Sequence, residues 1–283
     1  MADVTAPVPF VASRRQRRML DMTYQPGFRG IAYFCLFMLY APILVLVIYS
    51  FNANRSVTIW TGFSVDWFIK VVNNDQIKNA AITSLKIAVV ATVGATIAAT
   101  AAALATTRTS PYRGMGAAYV VINLPLMVPE IVTAVATLSF FAMGRTLLGI
   151  DLGLVNLMLA HMVFCIPFAY LPIRARLEDM DRTLEQAAAD LYAGPWHAFR
   201  RVTLPLLTPG IVAGAMLAFI TSIDDVTITT LVAGPGQTTL PIYIFGQIRR
   251  GITPETNAVS TIMLAVSVLL VSLFFFLAQR RKK

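Results

Sequence analysis

Five stretches of this chain run for 20 or more residues without a charged side chain: Gly30 to Asn54, Ile87 to Thr107, Leu152 to Ile173, Val202 to Ile223 and Thr256 to Gln279. Each is long enough, as a helix, to cross the roughly 30 Å hydrocarbon core of a bilayer. A sixth apolar stretch, Gly114 to Gly144, holds a single charge, Glu130, near its middle. It counts as a span whose acidic residue needs a reason. Only 13% of the 283 residues are charged and 57% are hydrophobic, against roughly 25% charged in an ordinary soluble domain. A soluble enzyme, a disordered chain, a collagen and a disulfide scaffold are excluded. The expected fold is all-α and polytopic, with six transmembrane helices.

Basic residues set the orientation. With the N-terminus in the cytoplasm, Arg14, Arg15, Arg17, Arg18, Arg29, Arg108, Arg113, Arg174, Arg176, Arg182, Arg200, Arg201, Arg280, Arg281, Lys282 and Lys283 fall in inner segments, sixteen of the 23 Lys and Arg residues. The reverse topology inverts that ratio, so both termini are expected in the cytoplasm. The net charge of +9 is then mostly an orientation signal, and nucleic acid is not an expected partner. The chain divides into a basic cytoplasmic tail over 1–29, a six-helix transmembrane domain over 30–279 that includes a cytoplasmic loop over 174–201, and a basic tail over 280–283. The Arg-rich start mimics a signal peptide. The run from Gly30 to Asn54 exceeds a normal h-region and lacks a clear small-residue cleavage site, so it is expected to stay uncleaved.

Cys35 and Cys165 both fall inside spans, where packing is the expected role and neither a disulfide nor a metal site is. In the first outer loop Trp60, Phe63, Trp67 and Phe68 suit either an amphipathic segment at the interface or an ordinary aromatic belt. The second span places Gly94, Ala98 and Ala102 at fourfold spacing, with Ala95, Ala99 and Ala103 beside them, a face that lets another helix approach closely. Leu124-Pro125-Leu126-Met127-Val128-Pro129 and Leu204-Pro205-Leu206-Leu207-Thr208-Pro209 open the third and fifth spans alike. Such prolines free backbone carbonyls and permit bending, and the match reads either as a parallel internal repeat or as chance among Leu- and Pro-rich segments.

The inner loop from Arg174 to Arg201 is far longer than two adjacent spans need. Its pattern predicts two short helices: Thr183 with Gln186 makes a capping box ahead of Ala187, Ala188 and Ala189, and Gly194-Pro195 breaks the run before a second helix through Trp196, Phe199 and Val202. A smooth, alanine-rich helix pair on the cytoplasmic side suits docking against a partner.

Glu185-Gln186-Ala187-Ala188-Ala189-Asp190-Leu191-Tyr192-Ala193-Gly194-Pro195, followed by Val202-Thr203-Leu204-Pro205, resembles the EAA loop of ABC importer permeases. That family's pattern is Glu-Ala-Ala, three residues, Gly, nine residues, Ile-x-Leu-Pro. Aligned on Leu204-Pro205, the family's Glu falls on Gln186, its alanines on Ala187 and Ala188, its Gly on Tyr192 and its Ile on Val202. Gln186 still completes a capping box. Tyr192 does not cheaply adopt a left-handed turn, so the bend is expected to have moved to Gly194. Ser222-Ile223-Asp224-Asp225, Gly234-Pro235-Gly236, Thr238-Thr239-Leu240-Pro241, Pro254-Glu255, Asn257-Ala258, Pro129-Glu130-Ile131 and Ala160-His161 with Phe164-Cys165 are similar to the second permease of spermidine and putrescine importers. The resemblance implies a type I importer: two permeases, here expected as paralogues in a heterodimer, a dimeric cytoplasmic ATPase, and a periplasmic solute-binding protein. It places the chain in the bacterial inner membrane, among lipid. It also makes Glu185, Gln186, Ala187, Ala188, Asp190, Gly194 and Pro195 the ATPase-coupling residues.

The sequence has no Gly-Lys dipeptide, so the phosphate-cradling loop of an ATPase is absent from it. ATP and Mg are expected on the partner, with no cofactor in this chain. The substrate path is expected at Glu130, deep in a span, and at Asp224 and Asp225, closing the outer end of the fifth span, so that the aspartates receive a cation and Glu130 supports it midway. Arg249 and Arg250 in the last outer loop suit either docking of the binding protein or a plain interfacial cluster. His161 reads as a hydrogen-bonded packing residue. Other open functions are a permease for another small cationic or opine-like solute and an ion-coupled secondary transporter using Glu130 and His161 as a relay.

Overall fold

The computed structural model describes residues 26–56, 59–149, 152–251 and 253–280, with side chains from Gly27 to Ser272. The basic tails over 1–29 and 280–283 therefore lie outside the described residues, apart from 26–29 and Arg280. Among the described residues six helices are long and apolar enough to cross a membrane. The chain forms two units, one ending at Tyr49 and one starting at Ser50. The first contains α1 (Pro26–Tyr49), 24 residues with Pro42 inside and no charge after Arg29.

In the second unit the helices are α2 (Asp66–Asn73), α3 (Asp75–Thr107), α4 (Met115–Met127), α5 (Glu130–Leu148), α6 (Leu154–Glu178), α7 (Thr183–Asp190), α8 (Pro195–Ala198), α9 (Leu204–Ile223), α10 (Thr227–Val232), α11 (Leu240–Arg250) and α12 (Pro254–Arg280). Helix α3 starts well before the charge-free run at Ile87, because Asn74 caps it by accepting from the Gln76 and Ile77 N–H groups at 3.0 and 3.4 Å. Its Ala91, Ala95, Ala99 and Ala103 are fully buried at helical spacing, and Gly94 lies against the Met162 side chain. The small-residue face of the sequence is thus the seam on which α3 meets α6 and α9.

The α6–α9 pair is antiparallel and tighter still. Arg176 Nε donates to Leu206 O at 3.0 Å, Cys165 Sγ meets Ala218 O at 3.4 Å and His161 Nδ1 meets Ser222 Oγ at 2.9 Å. Between them, a Cβ on Gly214 would lie 2.5 Å from Ala169 O, and one on Gly210 2.6 Å from Arg176 Cβ. Backbones approach this closely in lipid because packing, not exclusion of water, is what draws helices together there.

The two Leu-Pro segments behave differently. Val128 adopts an extended conformation ahead of Pro129, so the third span breaks into α4 and α5, as expected where a proline disfavours the α region for a β-branched predecessor. In α9 Pro209 stays inside the helix and leaves Pro205 O, four residues back, without its N–H partner, while Thr208 Oγ1 donates to Leu204 O at 2.9 Å.

The aromatics of the first outer loop form a small core. Trp67 Nε1 donates to Asn52 O at 2.9 Å, Phe51 stacks on Phe63 at 5.2 Å, and Trp67, Val71 and Ile77 pack with Ala258 and Val259 of α12. Gly214→Val, which drives a branched side chain into Ala169 O, is expected to lose about 1–3 kcal/mol of stability; the heat-inactivation midpoint of detergent-purified protein should fall, while Gly116→Val, in open space, leaves it within a much smaller margin.

Candidate functional site: a carboxylate pocket and a polar helix pair

The break at Val128-Pro129 puts Glu130 on the first turn of α5, where unpaired N–H groups favour a carboxylate. Its side chain shares a pocket with those of Asp225 and Thr227. Glu130, Asp224 and Asp225 line one pocket of about 480 Å³, together with Phe164, Phe168, Ile220, Thr221, Val226 and Thr227.

This corrects the expected track. The aspartates do follow the end of α9, but that end is level with His161, which is two turns inside α6. At 1.5 Å per residue they lie about 10 Å short of the α6 terminus. The acidic groups therefore belong to one pocket and not to an outer station and a midway one. Asp224 also borders a second cavity of about 480 Å³ between α9, α11 and α12, whose lining is mostly apolar and includes Met216, Phe219 and Met263.

Asp225 is held by its own turn. Its Oδ1 accepts from the Ile228 N–H at 3.2 Å, and its Oδ2 from the Thr229 N–H at 2.9 Å and the Thr229 hydroxyl at 2.8 Å. His161, 1% exposed, places Nε2 2.9 Å from Thr229 Oγ1 and 3.4 Å from Asp225 Oδ2. Because the Thr229 proton is committed to Asp225, that oxygen accepts from Nε2–H, and Ser222 donates to Nδ1. One chain of bonds thus joins α6, the end of α9 and the start of α10. His161 is the hydrogen-bonded packing residue the sequence suggested. Thr227 and Thr229 were missed, and Ser222 was noticed only within a family-like motif, since a hydroxyl in an apolar run gives no bonding signal until its partner is known.

At the Arg-rich end of the bundle stand α7 and α8. The helix start differs from expectation: Thr183 is the first helical residue, and Asp181 Oδ1 accepts its N–H at 2.9 Å, so the Asp181 carboxyl rather than a Thr183–Gln186 box supplies the cap. That backbone bond holds Asp181 below its ordinary carboxylate range. The bend is also corrected. Tyr192, at φ +60°, takes the left-handed position, while Gly194 is extended and precedes α8. The turn is a Schellman motif, with the Ala193 N–H on Ala188 O and the Tyr192 N–H on Ala189 O. Those two bonds offset the strain, and the Tyr192 ring, 98% exposed, meets no crowding. Nor is α8 a separate short helix. It passes through a π turn, Phe199–Thr203, into α9, as the Leu204 N–H reaches Phe199 O and accommodates the ring of Pro205.

Gln186, Ala187, Asp190, Gly194 and Pro195 are exposed and Ala188 is half-buried. Glu185 departs from the others: its carboxylate turns inward to Arg108 Nε, 3.0 Å away, and to the Thr203 hydroxyl, 2.8 Å away. Arg249 stacks its guanidinium on Phe245 at 4.8 Å, and Arg250 Nε donates to Gly246 O at 3.3 Å; both are exposed. Among the described residues no group of His, Cys, Asp and Glu is arranged to hold a metal.

Solved structures share this architecture. The chain is similar to one in a bacterial ABC transporter involved in the import of the acidic polysaccharide alginate, with a TM-score of 0.74 and 16% identity over 94% of this chain and 97% of that one. It is similar also to one in the MetNI methionine ABC transporter, with a TM-score of 0.58 and 20% identity over 73% and 96%. The fold is that of a type I ABC importer permease. Residues 99–281 match the model of the binding-protein-dependent transport system inner membrane component, and the chain belongs to that family. Its relatives include the putrescine transport system permease protein PotI of Escherichia coli K12, 38% identical over 87% of this chain and 88% of that one. Another is the spermidine/putrescine transport system permease protein PotC of Haemophilus influenzae, 40% identical over 83% and 90%.

Replacing His161 by Leu removes the ring partner of the buried Ser222 hydroxyl, at about 1–3 kcal/mol for a group left unpaired, and one of the two partners of the Thr229 hydroxyl, which keeps its bond to Asp225. The heat-inactivation midpoint is expected to drop further than for His161→Gln, which retains a donor and an acceptor.

Proposed function

We infer that this chain is a transmembrane permease subunit of an ATP-driven polyamine importer of the putrescine and spermidine class. The observation that carries the reading is the meeting of Glu130, Asp224 and Asp225 in one pocket walled by Phe164 and Phe168. A polyamine is a flexible chain of methylenes between ammonium groups. Carboxylates offset its lost hydration in a low-dielectric passage, and aromatic faces accept both ammonium and methylene. Relatives that the chain matches over most of its length are putrescine and spermidine permeases, which supports the same substrate class.

In this reading both termini lie in the cytoplasm of a bacterium, the chain crosses the inner membrane, and a paralogous permease completes the path. A cytoplasmic ATPase dimer carries ATP and Mg. A periplasmic binding protein delivers the solute, with Arg249 and Arg250 in reach of acidic groups on it. The exposed face of α7, with Gln186, Ala187 and Asp190 and the half-buried Ala188 at its edge, is the surface offered to the ATPase, and Leu184, Leu191, Tyr192 and Trp196, all exposed, extend it. Asp225 is bound by its own turn, so Glu130 and Asp224 are the carboxylates available to the cation.

Glu130 is half-buried and Asp224 is exposed, so losing either charge is expected toward the lower end of the roughly 2–5 kcal/mol that a buried charge pair carries. In proteoliposomes containing the assembled complex, Glu130→Gln and Asp224→Asn are each expected to lower initial putrescine uptake at least about tenfold. Normal uptake by both variants would remove the carboxylates from the path. Ala188→Glu places a charge at the proposed ATPase contact and is expected to bring ATP-driven uptake near background with membrane insertion intact. Full uptake by that variant would rule the docking assignment out.

A further inference from the structure

Helix α7 is eight residues long and buries none of its own side chains fully. Apolar packing, limited to side chains such as the half-buried Ala188, is slight, and polar bonds join it to the bundle. Those bonds come from two side chains. Glu185 Oε1 accepts the Arg108 Nε–H at 3.2 Å and the Thr203 hydroxyl at 2.8 Å, and Oε2 lies 3.0 Å from the same nitrogen as an ion pair. Arg182 Nη2 donates to Thr107 O at 2.6 Å. Arg108 is the residue that caps α3, and Thr203, buried, ends the π turn from which α9 starts.

The side chains of Arg108 and Glu185 are 13% and 23% exposed. A pair shielded to this degree, with a charge-assisted bond from a third group, exceeds the marginal worth of surface ion pairs. From this node two long helices lead away: α3, whose alanine face packs on α6 and α9, and α9, which ends at Asp224 and Asp225. A movement of α7 passes directly to both.

We propose that the Glu185–Arg108–Thr203 node, with the Arg182–Thr107 bond beside it, locks α7 to the adjacent ends of α3 and α9 as one rigid body, which makes Glu185 a positioning residue acting inside this chain. The proposal rests on the importer reading above, in which α7 receives the stroke of the ATPase. It moves Glu185 out of the docking surface and into the linkage behind it.

The test uses the full transporter, with partner permease, ATPase and binding protein, in nanodiscs. In a Cys35→Ser/Cys165→Ser background, Ser110→Cys and Thr183→Cys, both at exposed positions and neither among the residues offered to the ATPase, carry spin labels across the node. Pulsed-resonance distances are compared between nucleotide-free and ATP-trapped complexes. The expected result is one narrow distance, unchanged between the two states. Adding Glu185→Ala is expected to broaden it and to lower uptake per ATP hydrolysed about tenfold or more, with ATP hydrolysis retained. A shift of the distance on ATP trapping, or full coupling in the Glu185→Ala complex, overturns the rigid node. If that variant does not assemble, the comparison of states without it decides alone. A complex lacking Glu185→Ala that shows no ATP-dependent uptake overturns the importer reading and the node with it, a failure distinct from a moving distance in an active complex.

Discussion

The contact on which the rest of the second unit depends is the approach of α6 and α9, backbone to backbone, at Ala169 and Gly214. In lipid this seam gains nothing from excluding water, so its strength lies in dispersion contacts that fall away within a fraction of an ångström. The same seam fixes how far α9 climbs along α6. Had the two helices packed through larger side chains, neither the His161–Ser222 bond nor the Thr229 bond on the other ring nitrogen would close. The depth of Asp224 and Asp225 is therefore a consequence of glycine placement three turns away.

Much of this was legible from charge spacing. The long uncharged runs mark the spans because lipid penalises charge wherever it falls in a helix, whatever the helix touches. The small-residue face of α3 was legible for a related reason: alanines at helical spacing have little other use in a span. Two readings failed on tertiary register. Asp224 and Asp225 follow the last apolar residue of a span, which in sequence looks like a water interface, but α9 stops short of its neighbour. Tyr192 was a poor candidate for a left-handed turn by propensity, and the Schellman bonds to Ala188 and Ala189 overrode that preference. The Glu185 tether was beyond reach, since Arg108 and Thr203 are remote from it in sequence and nothing in a helix-capping pattern tells which way a carboxylate turns.

Proline divides the labour between the two similar segments. Where Pro129 follows the end of a helix it delivers a carboxylate into the bundle on a new helix start; where Pro209 lies inside α9, the helix runs on to Ile223. One residue type gives opposite outcomes: Val128 ahead of Pro129 is extended and the helix stops, whereas Thr208 ahead of Pro209 keeps its helical backbone and the helix runs on.

Helix α3 has 33 residues and is about 50 Å long, some 20 Å more than the hydrocarbon it crosses. Its Asn74 end consequently stands clear of the acyl chains, with the Trp67, Val71 and Ile77 core seated on it. That cap is cemented by the ordering of water around apolar surface, a force that fades on cooling and in urea. The bundle below has no such dependence. Cold or chaotrope should loosen the head of the molecule first and leave its membrane body whole, so one chain combines two solvents' rules of cohesion, joined along a single rod.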